Sequence, residues 1–291
     1  MAKLPARESN MKQVIACIAD SPQTGAVCDY AIWAARRLDT DLEFLHVLQH
    51  ASEAMPVADL GSGIWIGAQD DLLQELTELD KRRDALAQAH GEQLLQAALQ
   101  RARDQGLMRA DQRQRWGTLV DTLLEIEADT RLFVLGRRRG GPPPLRLLAD
   151  PRLEAAVRAL RRPVLVAQSP YRAPERYMIA FDGSATASHM IEMVSRSPLL
   201  TGLECHLAMV GEAHAPALDE AARMLTQAGF SPQIARLTGE AVPALVSHAR
   251  SVQADLLVMG AYGHSRIRQW VLGSTTTALL EQAPAPVLIL R

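Results

Sequence analysis

Leu132-Phe133-Val134-Leu135-Gly136 and Leu256-Leu257-Val258-Met259-Gly260 are two apolar runs that each end on a glycine, and the fold is read from their being a pair. The chain repeats itself around them, which settles the architecture before any motif is considered. Upstream, Val14-Ile15-Ala16-Cys17-Ile18-Ala19-Asp20 matches Tyr177-Met178-Ile179-Ala180-Phe181-Asp182, each a short buried strand ending on an aspartate. A helix-like stretch follows at 25–38 and at 185–197, and then a second apolar run, Leu42 to Leu48 or Leu203 to Val210, with Leu203-Glu204 aligned to Leu42-Glu43. A third strand is expected near 112–116 and near 233–237, each followed by a glycine, Gly117 or Gly239, and an amphipathic helix. Downstream, each copy closes on proline and a last strand, Pro163-Val164-Leu165-Val166 and Pro286-Val287-Leu288-Ile289.

Strands that are apolar throughout and alternate with helices belong to a parallel sheet covered on both faces. The expected class is α/β, with two tandem doubly wound domains, each built on a five-stranded parallel sheet. The division falls in the proline-bearing segment Gln168-Ser169-Pro170-Tyr171-Arg172-Ala173-Pro174, giving domains 1–170 and 171–291. Ligands of such sheets bind beyond the carboxyl ends of the strands, where the aspartates and glycines of both copies fall. The copies differ in length, since about 116 residues separate Asp20 from Gly136 but only 78 separate Asp182 from Gly260. The surplus lies around 51–105: a loop with Gly61, Gly63 and Gly67, then a charge-rich stretch from Asp70 to Gln105 that reads as one long helix or two, serving as a solvated cover.

Composition narrows the function. Of the 291 residues 48% are apolar, enough for sizeable cores, and 31 basic against 33 acidic residues are scattered, which does not suggest a nucleic-acid surface. Three cysteines, Cys17, Cys28 and Cys205, show neither a pairing pattern nor a CxxC spacing, which fits a reducing compartment and argues against zinc. The segment Met1 to Lys12 is polar and charged, without the apolar core of a signal peptide, and no stretch reaches the length of a membrane span. A cytoplasmic protein is expected.

The second copy carries Gly260-Ala261-Tyr262-Gly263 and, nine residues later, Gly273-Ser274-Thr275. Gly260 and Gly263 let the backbone turn sharply after the strand and approach a ligand closely. The helix after Gly273 opens on Ser274, Thr275, Thr276 and Thr277, whose free amides and hydroxyls suit a phosphate. Either piece alone has an ordinary explanation, since glycine commonly follows a buried strand and Ser/Thr commonly caps a helix. Together, at the ligand-binding edge, they form Gly260-x2-Gly263-x9-Gly273-Ser274 followed by Ala285-Pro286-Val287-Leu288-Ile289, which closely resembles the ATP-binding branch of the universal stress protein family.

That resemblance covers nearly the whole chain as a tandem pair. It implies the adenine nucleotide alpha hydrolase-like fold, bound ATP with magnesium in the second domain, and pairing through the last strands, here 163–167 against 286–290, as an internal pseudo-dimer. The same surfaces, or the long insertion, are the candidates for a homodimer. Carried over by position, Asp182 meets ribose and phosphates, Ala180 lines the floor, and Ala208 presents backbone groups to the adenine. Met259 and Gly260 flank the ribose, while Gly263, Gly273, Ser274 and Thr275 hold the phosphate chain. His264 and Arg266 sit in the same loop, with a phosphate contact and a solvated role equally open.

The first copy departs from this pattern. Anchoring on the closing prolines sets Gly140 opposite Gly263, Asp150 opposite Gly273, Pro151 opposite Ser274 and Arg152 opposite Thr275. A carboxylate would face phosphate, and proline has no amide to donate, so this copy is expected to bind ATP poorly or not at all. Arg137-Arg138-Arg139 offers an attraction for some other anion, with a solvated basic loop as the favoured reading.

No paired carboxylates, activated nucleophile or metal-ligand cluster accompany the loop, and the eight histidines are scattered. The expectation is a stress-response sensor or regulator rather than an enzyme, with slow hydrolysis left open. Two alternatives stand: an ATP-using enzyme of the same fold, although Asp20-Ser21-Pro22 and Asp182-Gly183-Ser184 lack the Ser-Gly-Gly-x-Asp-Ser loop of the pyrophosphatases, and a nucleotide-independent scaffold. No P-loop motif occurs.

Overall fold

A computed structural model of the chain describes residues 12–49, 66–137, 151–261 and 274–291, with the side chains of 66–74, 274 and 275 outside that description. The element order is β1 (Gln13–Cys17), α1 (Thr24–Leu38), β2 (Leu42–Leu48), α2 (Ile66–Asp104), β3 (Ala110–Trp116), α3 (Leu119–Ile126), β4 (Thr130–Gly136), α4 (Pro151–Ala159) and β5 (Val164–Ala167). It continues with β6 (Arg176–Ala180), α5 (Ala185–Arg196), β7 (Glu204–Val210), α6 (Ala215–Gln227), β8 (Pro232–Leu237), α7 (Ala241–Ser251), β9 (Leu256–Gly260), α8 (Ser274–Gln282) and β10 (Val287–Leu290).

The strands form one ten-stranded sheet in the order β3-β2-β1-β4-β5-β10-β9-β6-β7-β8. Every pairing within a half is parallel, and the halves join through β5 and β10, which run antiparallel with Val166 opposite Val287, Leu165 opposite Leu288 and Val164 opposite Ile289. Each half is therefore a doubly wound five-stranded parallel sheet, and the last strands meet as anticipated. Because the seam is antiparallel, the carboxyl ends of the two sets of strands lie at opposite edges of the sheet.

The residue types explain who lies where. Interior strands such as β5 and β10 are buried at every position, as strands covered on both faces must be. The outermost strands are polar: β3 reads ADQRQRW and β8 opens on Pro232, and charge and proline both discourage further pairing at an edge. One face of the sheet is covered by α1, the carboxyl-terminal turns of α2, α5 and α6, the other by α3, α4, α7 and α8. Local signals set the helix ends. Ser184 caps α5 by accepting from the Ala187 N–H at 3.1 Å, and Thr118 caps α3 by accepting from Asp121 at 3.2 Å.

The 51–105 surplus contains one helix, the 39-residue α2, in the place that the 13-residue α6 holds in the second half. Its last turns bury Leu95, Ala98, Leu99 and Ala102, whereas Leu76, Leu79 and Leu86 are exposed. Among its described side chains, the cover is thus anchored by the carboxyl-terminal part.

Long polar side chains fasten the seam. After β5, Gln168 donates to the carbonyls of Ala283 (3.0 Å) and Ala285 (3.1 Å); after β10, Arg291 donates to those of Val157 and Arg158 (3.0 Å to the latter). These two residues occupy the same position in their halves, and each satisfies carbonyls at or just past the end of the other half's last helix. Arg137 does the same for Leu280 and Glu281, and Tyr30 packs edge-on against Tyr171 at 4.7 Å.

Candidate functional site

The strand register brings three expected residues into one row. Ala180, the last residue of β6, stands between Ala208 of β7 and Met259 of β9, at the carboxyl edge of the second half. Gly260 ends the adjoining strand opposite Leu290, and the chain leaves it through Ala261, whose N–H donates to the Leu290 carbonyl. Asp182 lies two residues beyond Ala180, and its Oδ1 accepts from the Ser184 N–H at 3.0 Å, which fixes the entry into α5. On the far side α8 begins at Ser274, and the Thr276 hydroxyl reaches the Ala261 carbonyl at 3.4 Å, tying the helix start to the end of β9. Gly263 and Gly273 lie outside the described residues, and of Ser274 and Thr275 only the backbone is described.

The two edges differ most at their glycines. A Cβ on Gly136 would come within 2.9 Å of Val27 Cγ2 and 3.4 Å of Gln23 Cβ, so α1 is seated directly on the end of β4. A Cβ on Gly260 meets only Thr186 Cγ2, at an ordinary 3.5 Å. Among the described residues, then, packing forbids a side chain at Gly136 but not at Gly260.

Two alignments made from sequence are corrected by the register. The Ile18 N–H donates to the Leu45 carbonyl and the Phe181 N–H to the Ala208 carbonyl, both at 2.9 Å, so Ala208 is the counterpart of Leu45. Leu42 faces Val14 as Cys205 faces Tyr177, which matches Leu42-Glu43 to Cys205-His206 and not to Leu203-Glu204. The carbonyl of Ala208 is consumed inside the sheet and is not offered to a ring. By the same correspondence Cys17 matches Ala180 and Ala19 matches Asp182, leaving Asp20 one place further on. The first half therefore has no carboxylate where the second has Asp182.

Asp20 instead meets His90 of α2 at 3.2 Å. Beside it a cavity of about 120 Å³ persists, lined by Cys17, Ala19, Thr24, Leu45, Gly136 and Arg152 among others. Burial, and then the charge of Glu43, push the Cys17 thiol far above its ordinary pKa, so it is no nucleophile. Cys28 and Cys205 are likewise buried and raised to about 12 and about 11. Helices α4 and α8 have nine residues each and begin at Pro151 and Ser274, the correspondence expected from the closing prolines; Gly140 and Asp150 lie outside the described residues.

One neighbour of the site went unassigned in the sequence. Gly183, at φ +75°, is overlain by His214, which precedes α6; a Cβ there would lie 2.4 Å from His214 Cβ. The glycine after Asp182 was the available signal, because it admits both the left-handed turn and the close approach. Among the described residues no cluster of His, Cys, Asp or Glu is arranged to hold a metal ion, and no helix is long and apolar enough to cross a membrane.

A doubly wound sheet with this glycine-bounded edge defines a class, and known proteins of that class are similar to this chain. Residues 180–291 match the model of the universal stress protein family. A universal stress protein of Synechocystis sp. is 29% identical over 97% of this chain and 100% of its own length. The crystal structure of a universal stress protein from Archaeoglobus fulgidus covers 97% of this chain and 99% of that one, with a TM-score of 0.67 at 17% identity. A universal stress protein solved in complex with cAMP matches 40% of this chain and 98% of its own at 26% identity, with a TM-score of 0.35. Residues 180–291 thus match the universal stress protein family, and the chain is similar over nearly its whole length to a universal stress protein.

Proposed function

We propose that the chain is a tandem universal stress protein, with domains 1–170 and 171–291, that binds ATP with magnesium in the second domain. It acts as a cytoplasmic stress-response sensor or regulator without efficient turnover. The observation that carries this reading is the contrast at the glycines: among the described residues a Cβ on Gly260 meets only Thr186, at an ordinary 3.5 Å, whereas Gly136 is held against Val27. Around Gly260 the donor chemistry fits a nucleotide. Met259 and Ala180 supply an apolar floor, Asp182 a carboxylate, and the start of α8 helix-terminal backbone amides. Gly263 and Gly273 complete the phosphate loop in the sequence. The magnesium ion would screen the phosphate charge. Turnover is disfavoured because the described edge assembles no general base beside a nucleophile, and the three thiols are held protonated.

Calorimetric titration of the intact protein with ATP and magnesium tests the reading. One site per chain is expected. No site removes the nucleotide function, and two sites would mean that the first domain's substitutions do not disable it.

A further inference from the structure

This reading leaves unused a cavity of about 300 Å³ at the seam, where the carboxyl-terminal ends of α1 and α5 converge on β4 and β10. It lies at the lower end of the size range of small-molecule pockets, roughly 300–1,000 Å³. Both halves contribute walls. Leu38 and Leu132 come from the first, and Val194, Leu199, Leu200 and Leu288 from the second, all of them buried.

Its charged lining has one sign. Lys12, Arg131, Arg162 and Arg196 border it, and no aspartate or glutamate does. Arg162 is held in place, its Nε donating to the Glu127 carbonyl at 3.2 Å. Lys12, Arg131 and Arg196 are exposed and make no ion pair among the described residues. A cation in the last turn of α5 has an ordinary explanation in the helix dipole, which accounts for Arg196. Arg162 likewise serves the carbonyls at the end of α3, whereas Lys12 and Arg131 lie before β1 and in β4 and cap no helix among the described residues. The two helix ends add only about half a negative charge each, against four full positive charges. An apolar interior with an uncompensated cationic rim selects a ligand with an apolar tail and one anionic head.

We propose that this seam cavity binds a medium-chain carboxylate, tail inward against Leu132, Leu200 and Leu288 and carboxylate outward among Lys12, Arg131 and Arg196. Since the walls come from both halves, such a ligand fastens them together. The proposal does not depend on the nucleotide reading, because none of these residues belongs to the Gly260 edge.

The test titrates the full chain with hexanoate, octanoate and decanoate, with decanol as the uncharged analogue, and with vesicles of anionic phospholipid. Expected are one saturable site, an affinity that rises about fourfold per added methylene until the cavity is full, and decanol weaker than decanoate by about tenfold or more. Arg131→Gln combined with Arg196→Gln, both at exposed positions, should erase the difference between decanoate and decanol while leaving ATP titration unchanged. Equal binding of acid and alcohol by the unaltered chain, carboxylate binding indifferent to the double variant, or binding to vesicles without any to the free carboxylates would each overturn the proposal.

Discussion

The two carboxyl edges of this sheet descend from one plan and have been finished differently. In the first half α1 rests on Gly136 through Val27 and Gln23, Ala19 stands where a carboxylate would, and α4 opens on Pro151. In the second, no described residue presses on Gly260, Asp182 is present, and α8 opens on Ser274. On the proposed reading, the first edge differs from a nucleotide site in packing as well as in donors. Where no ligand needs the space above the glycine, the neighbouring helix can settle against it, and at Gly136 only a cavity of about 120 Å³ is left.

The largest effect is expected from making the second edge imitate the first. Gly273→Asp with Ser274→Pro places a carboxylate at the phosphates and removes a helix-terminal amide. Together these should weaken ATP binding by more than about a hundredfold, roughly 3 kcal/mol. The reverse graft, Ala19→Asp with Asp150→Gly and Pro151→Ser, restores donors but not space, and no second site should appear in titration. A site gained by the graft would show that donors alone distinguish the halves.

Parallel glycine substitutions sharpen the packing side of the comparison. Gly136→Val should cost about 1–3 kcal/mol of stability, read in denaturant, because it overpacks against Val27. Gly260→Val should leave the unfolding midpoint nearly unchanged and lower ATP affinity about tenfold or more. Equal destabilisation by both would end the claim that one edge is open and the other closed.

Most of this architecture was legible in the sequence. The apolar runs 132–136, 256–260 and 42–48 coincide with β4, β9 and β2 to within two residues, because fully buried strands need unbroken apolarity. Even the pairing of 163–167 with 286–290 followed from the resemblance. Register was not legible. Leu203 precedes β7 as an ordinary apolar residue, and a continuous apolar run carries no mark of which position faces its neighbour, so the alignment slipped by two residues. Asp20 was misplaced for the same reason. Ile18 and Phe181 are both buried and interchangeable in pattern, but only the ladder shows that Ala19, not Asp20, follows in the place of Asp182. The seating of α1 on Gly136 was likewise invisible, since a glycine required by packing and one left open for a ligand look identical as letters.

The corrected register sets two buried polar residues against each other and yields the smallest of the expected effects. Glu43 and His206 hold the same position in β2 and β7, both buried. Glu43 is paired with Arg113 at 2.6 Å and accepts from Gln13 at 2.9 Å, while His206 meets Glu204 at 3.1 Å. Burial is the dominant influence on Glu43 and raises its carboxyl above the ordinary 4.5, with Arg113 opposing. The folded chain therefore holds this proton more tightly than the unfolded chain does. The stabilisation from that proton is complete below pH 4.5 and is lost as pH rises through the raised value. Glu43→Gln, which keeps the shape and removes the titration, should lose less stability than the natural protein between pH 4.5 and pH 7. The difference should be no more than about 1 kcal/mol, because the half-exposed Arg113 can turn to water. Urea midpoints measured across that range decide it. A variant that weakens relative to the natural protein as pH rises would mean that the ion pair with Arg113 outweighs burial, and that the first half gains stability from a charge where the second relies on an imidazole.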